Sequence, residues 1–418
     1  MPGAAWAATA TSGTSSAAIL FGLAGLVVVA KIGGLAAERL GQPAVLGELL
    51  AGIGLGNLLP LVFGGEGLGF VRDQPALQVL AEIGVLILLF DVGLETDLRA
   101  FRRVGVSSLL VALIGVAVPF ALGWGTSAWL LPDRSPLVHV FVGASLTATS
   151  VGITARVLKD LGASQSREAQ TILGAAIIDD MLGLIVLAVV SGMATASGTG
   201  AAGPSWGATI GILLKAIVFL GLAVLSSQLV AARVVHAVGR TGQHGLILVV
   251  GVALCFTLAF LAEAIGLAAI IGAFAAGVLL DPCGAGVRAR EDEETLAELL
   301  HPLSAVFVPL FFVLMGIQVD VPSLLGADTI GTGVVLVVAA IAGKLASALG
   351  VVSPGVKRGA VAIGMVPRGE VGLIFAGIGA SLTVAGEPLL TQGLYSALVL
   401  MVVVTTLVTP IGLRRTLG

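Results

Sequence analysis

The chain has 418 residues, of which 57% are hydrophobic and only 11% charged, against roughly 25% charged in soluble domains. That balance excludes a soluble globular enzyme or a nucleic-acid-binding module and describes an all-α polytopic membrane protein. The formal net charge of -3 decides nothing by itself; the placement of the charges does.

Residues 1–16 are rich in Ala, Thr and Ser and carry no basic residue, so they read as a flexible tail rather than a signal peptide. Thirteen hydrophobic spans follow, near 17–37, 43–61, 75–95, 104–131, 136–159, 165–192, 207–235, 244–264, 266–280, 300–318, 328–350, 357–382 and 389–412. Spans of this length suit a hydrocarbon core about 30 Å thick; the one at 266–280 is short and is retained on charge. With the N-terminus outside, the loops and span ends on the cytoplasmic side hold 16 of the 21 basic residues, and the opposite loops hold only Arg72 and Arg134. This is the positive-inside pattern, and it predicts a cytoplasmic C-terminus. The polar loop 281–299, with Glu291 to Glu294, reads as an amphipathic cytoplasmic connector. No P-loop occurs, so nucleotide-driven pumping is not indicated. Cys255 and Cys283 have no metal-ligand spacing and read as inert.

A weak internal repeat runs through the chain. Ala44–Gly52 resembles Ala269–Gly277, Phe90–Asp97 resembles Val313–Asp320, and Ser150–Ile153 resembles Glu370–Leu373. The displacement is seven spans, an odd number, so the two halves have inverted topology, a pattern of secondary transporters with a midplane site.

The residues that most need explaining are Asp179 and Asp180, adjacent in an apolar run from Thr171 to Val190. A carboxylate at the bilayer centre costs on the order of 3 kcal/mol. Helical neighbours point about 100° apart, so one aspartate can face a cavity while the other faces a partner. Lys344, in the middle of the eleventh span, is the natural partner, either in a structural pair or in a transport site. The repeat pairs the fifth span, with Thr147, Thr149 and Ser150, with the twelfth, with Pro367, Arg368 and Glu370. Both are interrupted by polar residues, and proline removes a backbone donor. Broken helices survive at membrane depth only where buried or lining a cavity; helix-packing hydroxyls are the plainer reading of Thr147 to Ser150. Lys215 reads as snorkelling, Glu48 and Glu82 have no ranked role, and His139, His236, His244 and His301 read as interfacial.

These motifs together (Leu146–Ala155, Gly174–Asp180, Gly343–Lys344 and Met365–Leu373, with Gln42–Gly52 in the second span) resemble the monovalent cation:proton antiporter-2 family, and within it the NapA-type sodium/proton antiporters. The resemblance covers nearly all thirteen spans. It implies the NhaA-like antiporter fold with two crossed broken helices. A core ion-translocation domain would hold 104–192 and 328–415, a scaffold or dimerisation domain 17–103 and 244–318, and a linker helix 207–235. Asp180 matches the residue that binds the cation and protons, Asp179 its neighbour that pairs with Lys344, and both would ligate the transported Na+. Thr147, Thr149 and Ser150 match the first broken helix near the ion, and Arg368 and Glu370 the second. The family implies homodimers, an elevator-like movement, the inner membrane, and no cofactor beyond the transported Na+ or Li+ and H+. The Asp-Asp pair resembles electrogenic members. Potassium/proton exchange on the same fold is the alternative. An intramembrane aspartyl protease is disfavoured because its two carboxylates must lie on separate helices.

Overall fold

A computed structural model describes residues 16–63, 74–96, 105–163, 166–198, 206–241, 245–280, 294–324, 326–384 and 387–417. The expected N-terminal tail, Arg72, Cys283 and most of the 281–299 connector lie outside these residues. The described chain is almost entirely helical: α1 Ser16–Arg39, α2 Ala44–Phe63, α3 Pro75–Glu95, α4 Val106–Leu130, α5 Pro136–Ser145, α6 Val151–Asp160, α7 Arg167–Gly198, α8 Trp206–Thr241, α9 Leu246–Ala264, α10 Ala269–Leu280, α11 Leu296–Ile317, α12 Val321–Leu324, α13 Ala327–Leu345, α14 Arg358–Gly364, α15 Glu370–Ser381 and α16 Gln392–Leu417. A 3-10 turn, Ala346–Gly350, follows α13. The two strands β1 Thr383–Val384 and β2 Glu387–Pro388 form an antiparallel ladder with Thr383 opposite Pro388. Among the described residues nine helices are long and apolar enough to cross a bilayer, and several shorter apolar helices accompany them.

Local chemistry sets several helix starts. Ser135 accepts from Leu137 N at 3.3 Å and Pro136 opens α5, the arrangement expected at a helix N-terminus. Thr295 and Glu298 form a capping box, with Glu298 Oε2 accepting from Thr295 N at 2.7 Å and Thr295 Oγ1 accepting from Glu298 N at 3.2 Å. That box explains why α11 begins at Leu296, a turn before the apolar run expected from 300.

The chain divides into two compact units, one of residues 1–85 and 304–319 and one of residues 86–303 and 320–418. In the first, α2 packs on α11 through small residues. A Cβ on Gly52 would lie 2.2 Å from Val313 O, and one on Gly316 would lie 2.3 Å from Leu49 O. Asn57 Nδ2 donates to Ile53 O and Val319 O at the same seam. In the second unit, α3 packs on α10 in the same way. A Cβ on Gly277 would lie 2.3 Å from Phe90 O, and one on Gly93 would lie 2.3 Å from Phe274 O. The four positions of one seam are the repeat counterparts of the four positions of the other. Backbones approach this closely only where no side chain intervenes.

The second unit also assembles α4, α7, α13 and α16 around the shorter helices α5, α6, α14 and α15. A Cβ on Gly343 would lie 2.8 Å from Pro119 Cα, which brings α13 against α4. Val111, Leu158, Ile172, Val361 and Met365 form one buried apolar cluster joining α4, α6, α7 and α14.

Candidate functional site

The expected fifth and twelfth spans are each two helices. Residues 146–150 separate α5 from α6, and residues 365–369 separate α14 from α15. Each interruption leaves backbone groups without intrahelical partners, and these groups find one another. Ser150 N donates to Pro367 O at 2.8 Å. Thr149 Oγ1 donates to Met365 O at 3.4 Å, and Thr154 Oγ1 to Gly364 O at 2.7 Å. In return Arg368 Nη1 donates to Ala148 O, and Nη2 reaches Ala340 O on α13 at 3.4 Å. Thr406 on α16 donates to Arg368 O at 2.8 Å. A Cβ on Gly369 would stand 2.5 Å from Ser150 Oγ, so glycine is what lets the second interruption lie against the first.

Arg368 is fully buried, and so are Thr147, Thr149 and Ser150. Thr147 Oγ1 donates to Ala144 O at 2.7 Å, closing the end of α5. Each donating hydroxyl keeps acceptor lone pairs for a cation. Glu370 opens α15, and its side chain lies outside the described ones.

Asp179 and Asp180 sit near the middle of α7. Lys344 Nζ donates to Asp179 Oδ1 at 2.9 Å, and both side chains are 0% exposed. Asp179 Oδ2 is buried and bonds nothing. Asp180, one residue on and turned about 100° around the helix, is half-buried. Two adjacent carboxylates therefore have different surroundings, one neutralised in a closed pair and one in a more open position. The structure thus brings Asp179, Lys344, Arg368 and residues 147–150 together in one unit.

The sequence did not single out Thr154, Thr406, Gly115 or Ser347. Hydroxyls and glycines are common in membrane helices, and only their surroundings distinguish these four. His139 is buried rather than interfacial, with Nδ1 3.0 Å from Ser127 Oγ; α4 and α5 close on it where Gly123 meets Gly143. His236 and His301 are exposed, and His244 lies outside the described residues. Lys215 donates to Ile265 O at the end of α9, 3.0 Å away. Glu48 is buried beside Gly34, whereas Glu82 is exposed.

Residues 25–418 match the family model described as sodium/hydrogen exchanger, transmembrane. The high-affinity Na+/H+ antiporter NhaS3 of Synechocystis is 36% identical, covering 95% of this chain and 89% of that protein. The Na+/H+-K+ antiporter GerN of Bacillus cereus is 34% identical, covering 95% and 96%. The Na+/H+ antiporter of Enterococcus hirae is 31% identical, covering 93% and 95%. The structure of the sodium proton antiporter MjNhaP1 from Methanocaldococcus jannaschii shares the fold, with a TM-score of 0.70 at 16% identity over 96% of this chain and 99% of that one. The chain belongs to the transmembrane sodium/hydrogen exchanger family.

Proposed function

We propose that this protein is a secondary active antiporter exchanging Na+ or Li+ for protons at Asp180. The observation that carries the reading is the fully buried Lys344–Asp179 pair beside two interrupted helices, with a second, half-buried carboxylate next to it. A proton and a hard cation compete for the same carboxylate oxygens, and that competition is the coupling. Asp180 carries the exchangeable ion, and Asp179 joins it as a ligand when Lys344 lets go. Thr147, Thr149 and Ser150 supply neutral oxygens, while Arg368 and Glu370 belong to the polar core of the second interruption. The positive N-terminal ends of α6 and α15 and the negative C-terminal ends of α5 and α14 temper the charge that arrives and leaves.

Two carboxylates and one ammonium at the site favour more than one proton per Na+, hence electrogenic exchange. The finer architecture proposed is thirteen spans of inverted repeats in an NhaA-like fold with crossed broken helices. The matched glycine seams of α2 with α11 and α3 with α10 support the repeat, since equivalent residues make equivalent contacts. Residues 104–192 and 328–415 form the core, 17–103 and 244–318 the scaffold, and 207–235 the linker. The core moves elevator-fashion in a homodimer of the inner membrane, with the N-terminus outside and the C-terminus in the cytoplasm.

Reconstituted protein is expected to dissipate an imposed pH gradient on addition of Na+, and Asp180→Asn is expected to abolish this. Retained exchange in that variant removes Asp180 from the role. Exchange indifferent to a membrane potential set by an ionophore removes electrogenicity. Potassium/proton exchange is the second reading, favoured by the similarity to a relative named a Na+/H+-K+ antiporter; a panel of Na+, Li+ and K+ in the same vesicles separates the two.

A further inference from the structure

Ser347 lies in the 3-10 turn that continues α13, three residues after Lys344. Residues three apart in a 3-10 turn share a face. Its side chain is 0% exposed, and its Oγ forms no hydrogen bond. A buried hydroxyl without a partner is destabilising and calls for an explanation. The position supplies one. A Cβ built on Gly115 of α4 would stand 3.6 Å from Lys344 Nζ, 3.7 Å from Ser347 Cβ and 3.9 Å from Asp179 Oδ1. The ammonium, the carboxylate and the serine thus converge on one point beside the α4 backbone, a point that glycine leaves clear. Among them only the ammonium and one carboxylate oxygen are bonded, to each other.

We propose that Ser347 is a positioning residue of the exchange site, its hydroxyl accepting the Lys344 ammonium when that ammonium leaves Asp179. The proposal rests on the antiport reading. With the pair closed, Ser347 bonds nothing. When a cation takes Asp179, Lys344 must release it inside a fully buried site, where an ammonium without acceptors is strongly disfavoured. A hydroxyl accepts such a donor without adding charge. Ser347 thereby stabilises the open, cation-holding arrangement at the expense of the closed one.

The test is Ser347→Ala in proteoliposomes, with exchange followed against Na+ concentration at fixed pH, and thermal unfolding of the purified protein without Na+. The KM for Na+ is expected to rise roughly ten-fold or more, the worth of one hydrogen bond from a charged donor, with kcat within about two-fold of wild type. The unfolding midpoint is expected to stay level or rise, because the closed form loses an unpaired buried hydroxyl. A merely structural serine gives the opposite pattern, a lower midpoint with no selective change in KM. Unchanged KM, or a midpoint that falls with both kinetic parameters, overturns the proposal. Absence of Na+-driven exchange in the wild type removes the antiport reading and this proposal with it, whereas wild-type exchange with an unchanged KM in the variant removes this proposal alone.

Discussion

The two helix interruptions solve one problem with different chemistry. Residues 146–150 carry three hydroxyls and no charge, whereas residues 365–369 carry a proline, a glycine and a fully buried guanidinium. Donors from the first half (Ser150 N, Thr149 and Thr154) satisfy carbonyls of the second at Pro367, Met365 and Gly364. The second half returns a single long cation that reaches Ala148 O and Ala340 O. The lesson is reciprocity. Neither half meets its own polar demand, and one half relies on several short neutral donors where the other relies on one charged fork.

Substitutions that unbalance this exchange should rank by what they leave exposed. Arg368→Met strands the buried Ala148 carbonyl and removes the fork. It is expected to cost about 3 kcal/mol, read as a large fall in the thermal midpoint of the purified protein. Next is Gly369→Ala, whose Cβ would meet Ser150 Oγ at 2.5 Å and Ser150 Cβ at 2.7 Å. Overpacking of this kind costs roughly 2 kcal/mol, and chemical denaturation measures it. Thr154→Val keeps the shape and orphans Gly364 O, for about 1–2 kcal/mol on the same titration. Thr149→Val removes only a 3.4 Å contact, at the long end of hydrogen bonding. It should cost less than about 0.5 kcal/mol, with any larger effect confined to Na+ dependence. If Thr149→Val proves as damaging to stability as Thr154→Val, the donors of the first half do not divide as their distances indicate.

Much of the framework was legible in the sequence. The long apolar runs marked a helical membrane protein, and among the described residues nine helices are long and apolar enough to cross a bilayer, because span length is imposed by the bilayer rather than by neighbours. The interruptions were legible too, since Pro367 and a run of hydroxyls mark positions where a helix ladder fails. The pairing of Lys344 with Asp179 was legible as well, because two opposite charges buried in apolar helices need one another. The remaining contacts were not. That Arg368 turns to Ala148 and Ala340 depends on how the helices around it pack, as α13 does on α4 through Gly343 and Pro119. No local pattern encodes that packing. Ser347 was invisible for the same reason, being one serine in a run of Gly, Ala and Ser. His139 misled because proximity to a span end was read as access to the interface, whereas the close approach of Gly123 and Gly143 buries it.

The hydrogen bonds between the two interruptions join residues 210 to 220 positions apart. During synthesis, residues 146–154 enter the membrane long before the carbonyls at 364–367 exist. At typical elongation rates of about 5–20 residues per second, that delay is roughly 10–40 s. Throughout it, the first interruption must keep its donors hydrated or sheltered by the insertion machinery, because hydrocarbon offers them no acceptor. The feature that shapes the finished site therefore makes the N-terminal half dependent on the C-terminal half for its own maturation. A ribosome stalled between the two would leave an inserted but polar-frustrated intermediate, a natural target for membrane quality control.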